Sequence, residues 1–176
     1  MTRDWTEAAL AAGFSFAAPL DVSTLAVHPE VRAMCGEDRC NKYGKCWTCP
    51  PGCGTLETCL ARMRSFPSGL LVQSLFPLED PLDYAAMLQA EASHHRSFLT
   101  FRRLLAQAHP GLLALGSGGC RLCPICAYPA APCRFPERAV SSMEAYGLLV
   151  AEVCKANSMG YYYGPGSISF TGCYLF

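Results

Sequence analysis

Residues 118–136 contain the cysteine pattern with the clearest chemical meaning in this sequence. Cys120, Cys123 and Cys126 recur at three-residue intervals, and Cys133 follows seven positions later. Each two-residue gap lets the backbone curl so that successive thiolates converge on one centre, as in loops that bind iron–sulfur clusters. Prolines within the segment stiffen it and lower the entropic cost of holding the thiolates together. The pattern predicts a cluster-binding loop with these four ligands.

A second cysteine-rich segment covers residues 35–59 and holds six of the twelve cysteines in the chain. Its glycines and its Pro50-Pro51 pair predict an irregular loop, because neither residue type suits a packed helix or a central strand. A metal centre would hold such a loop together, since metal binding contributes directly to folding. The ligands that we favour are Cys35, Cys40 and Cys49, with Cys59 preferred over Cys46 and Cys53 for the fourth position.

Cysteine ligands suit both zinc and iron–sulfur clusters, so ligand type alone leaves the metal open. Structural zinc sites usually pair two short Cys-x2–4-Cys turns across a longer loop. Residues 118–136 instead place three cysteines at tight intervals, which suits a cubane better. The spacing therefore favours two [4Fe–4S] clusters as the cofactors, with zinc as the alternative.

Composition limits the class of protein. A length of 176 residues suits one domain, residues 1–176, that includes both cysteine-rich loops, and 51% hydrophobic residues imply a real core. The formal net charge is zero, which gives no electrostatic reason to expect nucleic acid or an anionic membrane as a partner.

The N-terminal residues and the number of cysteines bear on the compartment. Asp4 and Glu7 lie where a signal peptide would carry positive charge, and the apolar run after them is too short to cross a bilayer. We therefore expect a cytoplasmic protein whose cysteines stay reduced and serve as ligands rather than as disulfides.

The rest of the chain predicts an α+β fold, in which helices pack on one face of a small sheet and both cysteine-rich loops lie at one end. Short apolar runs predict strands at about 68–77, 111–116 and 167–175. Helical spacing predicts a short helix in residues 4–18 that Gly13 ends, with Thr2 or Thr6 as its cap, and a long helix between the first two strands. Residues 20–34 are expected to be an extended arm, and residues 136–160 to form two helical pieces.

Four residues outside the cysteine-rich loops could be ligands but have a simpler explanation. His94 and His95 lie in the long helix, where a flank that meets solvent is the commoner role for histidine. Cys154 and Cys173 are isolated thiols in regular elements, and such thiols are usually small core residues.

Three motifs resemble a bacterial and archaeal family of predicted metal-binding proteins, domain of unknown function 2284. They are RxMC-x4-C-x2-YGK-x-W-x-CPP from Arg32 to Pro51, GGC-x2-C-x2-C-x-YP-x2-PCRFPE, and SMEAYG. The resemblance extends over most of the chain, including its YYYGPG tail. It implies metal or iron–sulfur binding, with ligands at the positions of Cys35, Cys40, Cys49 and Cys59, and leaves Cys46 and Cys53 as extra thiols.

Three functions fit such centres. The first is electron transfer to a redox partner protein, with Arg121, Tyr128 and Arg134 tuning the potential. The second is an enzyme that uses an incompletely ligated cluster or zinc as a Lewis acid on a small molecule. Its pocket would be lined by Glu137, Ser142, Glu144, Tyr146 and Tyr161 to Tyr163. The third is a zinc-stabilised binding module with no catalytic residue.

Overall fold

Residues 4–176 fold into a five-stranded mixed sheet with five α-helices. The computed structural model describes residues 4–176. The strands are β1 (Phe16–Leu20), β2 (Gly69–Pro77), β3 (Leu113–Gly116), β4 (Ser141–Ser142) and β5 (Ser167–Leu175), arranged in the order β1-β2-β5-β3-β4. All neighbouring pairs are antiparallel except β3 and β4, which are parallel. The α+β class and the three central strands are confirmed.

In the described residues, one α-helix precedes β1 and four lie between strands. They are α1 (Trp5–Ala11), α2 (Pro29–Gly36), α3 (Leu56–Arg64), α4 (Tyr84–Ala108) and α5 (Val150–Ala156). Short 3-10 turns cover Val22–Thr24 and Glu144–Tyr146. Among residues 4–176, no helix combines the length and the apolar character that a membrane span requires.

The prediction that Gly13 ends the first helix is confirmed, although the predicted range 4–18 extends into a strand. The helix ends at Ala11, because Gly13 adopts a φ of +97° that a helix cannot contain. The next residues form β1, whose Pro19 is tolerated because β1 lies at the edge of the sheet. Asp4 caps the helix by accepting hydrogen bonds from the amides of Thr6 and Glu7. Thr2, one of the predicted caps, lies outside the described residues.

The segments on either side of the metal loops also differ from expectation. Residues 29–36 form α2 rather than an extended arm, because Pro29 stands at the start of the helix, where its missing N–H costs no hydrogen bond. The first of the two helical pieces predicted in residues 136–160 is instead the two-residue β4 followed by a 3-10 turn, whereas α5 supplies the second.

Helices pack on both faces of the sheet, so the prediction of one covered face was wrong. One core contains Leu71, Leu115 and Cys173 with residues of α3 and α5. The opposite core contains Leu70 and Tyr174 with residues of α1 and α4. A strand that is buried on both faces has a continuous apolar run instead of alternating polar residues, and the first four residues of β2 have this pattern.

The long helix α4 is fixed to the sheet by Phe98. Its ring stacks on Tyr174 with the centroids 4.5 Å apart, and the Tyr174 hydroxyl donates to the Phe98 carbonyl at 2.8 Å. Gly172 permits this contact, because a Cβ there would lie 2.5 Å from the Phe98 ring. Cys120 and the rest of the second cysteine-rich loop therefore follow a strand, β3, that lies under a firmly packed helix.

His94 is a core residue rather than a solvent-facing one, so that part of the prediction was wrong. It is 2% exposed, its Nδ1 lies 2.9 Å from the Ser74 hydroxyl, and its ring packs on Phe170. Burial lowers the pKa of His94 to about 4, with a smaller contribution from His95. The imidazole is therefore neutral at pH 7.

We expect His94 to make the fold sensitive to mild acid. The unfolded imidazole binds a proton near pH 6.5 and the folded one near pH 4, so stability is lost as the pH falls through that window. Between pH 7 and pH 5 the expected loss is about 2 kcal/mol. Urea unfolding of the wild type and of His94→Asn at both pH values measures it. Equal losses in the two proteins would contradict the prediction.

Candidate metal centre

The two cysteine-rich loops pack directly against each other. The Trp47 indole N–H donates to the Ala131 carbonyl at 2.9 Å, and its ring meets Tyr128 edge-on with the centroids 4.8 Å apart. Packing is also tight at Gly52, where a Cβ would lie 3.0 Å from the Tyr128 ring of the other loop and 2.6 Å from the Cys46 carbonyl oxygen of its own loop. Residues more than 70 positions apart in the chain thus form one cysteine-rich region.

Three of the predicted ligands share one cavity. Cys35 lies at the end of α2, and Cys40 and Cys49 follow in the loop between α2 and α3. All three line a cavity of about 310 Å³, which also contains Ser142 and Glu144. The volume and the donor chemistry fit a soft metal or an iron–sulfur cluster. We call these three thiols and Glu144 the first set.

The environment of the first set disfavours the ionised forms of its acidic groups. Burial raises the pKa of the Glu144 carboxyl, and burial together with Glu144 raises the pKa of the Cys35 thiol. The pKa of Cys49 is also raised, chiefly because its thiol donates to Cys46. A bound cation would lower these pKa values, since thiols must lose their protons to coordinate a metal.

The four cysteines of residues 118–136 lie together at a second place, which we call the second set. Cys120, Cys123, Cys126 and Cys133 surround a space of only about 20 Å³, room for a single ion or water. A cubane needs more room, so binding one requires these thiols to turn outward. Residues 118–136 form neither helix nor strand, so no ladder hydrogen bonds oppose that movement.

Cys46 lies between the two sets, although the resemblance had left it as an extra thiol. It lines the space of the second set, and its thiolate can accept hydrogen bonds from both Cys120 and Cys49. These two donors strongly lower the pKa of Cys46, and the Thr48 hydroxyl lies 3.3 Å from its sulfur. The spacing of this segment gives no reason to single out Cys46, because its partner Cys120 is 74 positions away in the chain.

Cys59, the preferred fourth ligand, is paired with Cys53 instead of lining the first cavity. Its side chain is 2% exposed in α3, and Arg32 donates to its sulfur at 3.5 Å. The Cys53 thiol and the nearby Arg32 lower the pKa of Cys59 to about 7, against the effect of burial. Within the described residues, the first cavity is therefore lined by three thiols and not four.

The remaining thiols are core residues. Cys154 and Cys173 are both fully buried, in α5 and β5. Burial raises the pKa of Cys173 to about 12. The expectation that these two cysteines contribute to packing is confirmed.

The polar residues proposed around the second loop are held by partners. Arg121 pairs with Glu91 of α4 at 2.5 Å, and Arg134 donates to the Ile125 carbonyl at 2.9 Å. Tyr128 contacts Trp47, as described above.

The residues predicted for one catalytic pocket lie in different places. Ser142 and Glu144 line the first cavity, whereas Tyr146 lines another cavity. Glu137 is exposed, as are Tyr161 and Tyr162. The Tyr163 hydroxyl donates to Gln73 at 2.6 Å. Of these predicted residues, Ser142 and Glu144 are therefore the two that line the cavity of the first set.

Within residues 4–176, no three Cys, His, Asp or Glu side chains converge closely enough to hold a single metal ion. The thiols are grouped around cavities instead, as described for the first and second sets.

Comparison with known proteins gives one match. Residues 18–176 match the model of a family described as predicted metal-binding protein (DUF2284). No curated protein and no solved structure matches the chain.

Proposed function

Because the chain belongs to the family of predicted metal-binding proteins, we propose that it binds two [4Fe–4S] clusters and transfers single electrons between them. Cys35, Cys40 and Cys49 would hold one cluster, and Cys120, Cys123, Cys126 and Cys133 the other. Bound clusters supply one-electron chemistry at potentials set by the charges and hydrogen bonds around their sulfurs. A redox partner protein would exchange electrons with the pair.

The observation that carries this proposal is the position of Cys46. Its side chain lines the space of the second set, and interaction with Cys120 of that set and with Cys49 of the first lowers its pKa. Clusters bound at two sets of thiols that share one neighbouring side chain would be close enough to exchange electrons under this proposal. Thr48 supports the same contact through its hydroxyl, 3.3 Å from the Cys46 sulfur.

The three-thiol lining of the first cavity supports a second candidate function. A cluster held by three cysteines leaves one iron free to accept a substrate atom as a Lewis acid. Glu144 lies near Cys35 in the same cavity, and burial raises the pKa of its carboxyl, so it could donate a proton to a bound molecule. The substrate would be a small molecule that fits about 310 Å³.

Anaerobic purification followed by metal and acid-labile sulfide analysis tests the proposal. We expect about eight iron and eight sulfide per chain, with a visible spectrum that bleaches on reduction with dithionite. Four iron with one zinc would place a cluster at one set and a single ion at the other, and would contradict the paired-cluster proposal. Zinc without sulfide would instead favour a zinc-stabilised binding module.

We expect Cys59→Ala to retain the full iron content, because Cys59 lies beside Cys53 and not in the first cavity. Its cost should appear in stability, at about 1–3 kcal/mol for a small buried side chain. Iron analysis beside urea unfolding separates the two effects, and Cys53→Ala is the matched control. Loss of about four iron from Cys59→Ala alone would restore Cys59 as the fourth ligand that the sequence favoured.

A further inference from the structure

The metal centres leave unexplained a cavity of about 390 Å³ beside the second set. It lies between Arg62 of α3, Arg102 of α4 and the residues that begin β3. Trp47 and Cys133 line both this cavity and the small space of the second set. A volume of this size falls within the range of small-molecule sites.

The charged side chains that line the cavity are all cationic. Arg62 and Arg102 are both present, and no Asp or Glu is among the lining residues of the described chain. Arg62 donates one hydrogen bond, to the Tyr146 hydroxyl at 3.2 Å, which leaves its other N–H groups available. A guanidinium presents five donors in a flat fork that matches a carboxylate or a phosphate.

Arg102 has no anionic partner in residues 4–176. No salt bridge or hydrogen bond involves its guanidinium, and its Nε is shielded from solvent with its N–H unsatisfied. Burial lowers the pKa of Arg102, as expected for a cation without a counter-ion. A buried polar group without a partner costs free energy, and a bound anion would remove that cost.

The rest of the cavity is suited to an organic body. The side of the cavity formed by β3 and the residue before it consists of Leu112, Leu113 and Ala114, which are all buried. The Trp47 ring is held in place by its hydrogen bond to Ala131 and by Tyr128. Pockets that combine apolar walls with a few fixed polar groups bind small molecules with defined orientation.

We propose that this cavity binds a small organic oxyanion, with its carboxylate or phosphate on Arg62 and Arg102 and its apolar part on Trp47 and the β3 residues. The proposal depends on neither the identity of the metal nor its presence. Because the cavity lies beside Cys133, a molecule bound in it would be next to the second set.

Calorimetric titration of the purified protein with benzoate, phenyl phosphate and benzamide tests this assignment. Benzamide has the size and ring of benzoate but no charge, so we expect it to bind at least tenfold more weakly than either anion. Tighter binding of phenyl phosphate than of benzoate would identify a phosphate-bearing ligand, and the reverse order a carboxylate. Equal binding of benzoate and benzamide would overturn the proposal.

Two pairs of variants locate the site. Arg102→Gln and Arg62→Gln should each weaken anion binding at least tenfold, while Arg103→Gln and Arg64→Gln should leave it unchanged. The two controls are exposed arginines on the same helices and lie outside the cavity lining. Arg102→Lys keeps the positive charge but lacks the planar, forked donors of the guanidinium, so it should give intermediate affinity. Far-UV circular dichroism and iron content establish that each variant is folded. Unchanged binding in folded Arg102→Gln and Arg62→Gln would place the anion elsewhere and refute the assignment.

Discussion

Replacing Cys35, Cys40 or Cys49 with serine should remove about four of the eight expected iron atoms and leave the other four in place. These three thiols line one cavity, and the four cysteines of residues 118–136 surround another space. A serine hydroxyl is a harder and less acidic donor than a thiol, so it holds a soft metal poorly. Iron and sulfide analysis of each anaerobically purified variant gives the count.

The reciprocal variant and a buried thiol provide the controls for this experiment. Cys123→Ser should remove the other four iron atoms, and Cys154→Ala should remove none because Cys154 is fully buried in the core. Electron paramagnetic resonance of the reduced proteins should show one remaining cluster in each ligand variant. If folded variants of both sets lose all of their iron, the two sets form a single centre and the proposal fails.

The central strands and the cysteine-rich loops could be predicted because their signals are local. The first four residues of β2 are all buried in the structure, and the sequence has a continuous apolar run there. The edge elements have weaker signals. β1 contains Pro19 and begins soon after a glycine, and β4 has only two residues, Ser141 and Ser142. Neither strand is therefore long enough to show a clear pattern of apolar residues in the sequence.

Contacts between distant parts of the chain could not be predicted from spacing. The contact of Cys46 with Cys120 joins loops 74 positions apart, and the cavity shared by Arg62 and Arg102 joins two helices. Cys59 was placed correctly on the inward face of a helix, but no sequence pattern reveals that Cys53 rather than the first cavity lies opposite it. Helical periodicity gives the direction of a side chain and not its partner.

The tight packing around Gly52, against Cys46 of its own loop and Tyr128 of the other, gives the prediction with the clearest structural test. Gly52→Ala would place a Cβ 2.6 Å from the Cys46 carbonyl oxygen, a backbone atom that cannot move without shifting the turn that carries Cys46 and Cys49. We expect a loss of stability of about 1–3 kcal/mol, the usual cost of an added methyl group in a packed site. Because Cys46 contacts both sets, iron content should fall at both.

Gly36→Ala is the matched control for this variant. Gly36 ends α2 one residue after Cys35, and a Cβ there would meet no atom within 4 Å. We expect Gly36→Ala to be as stable as the wild type or slightly more so, since alanine favours a helix over glycine. Urea unfolding and iron analysis of both variants complete the test. Full iron content and wild-type stability in Gly52→Ala would mean that the turn carrying Cys46 and Cys49 does not depend on close packing at this position, and would contradict the prediction.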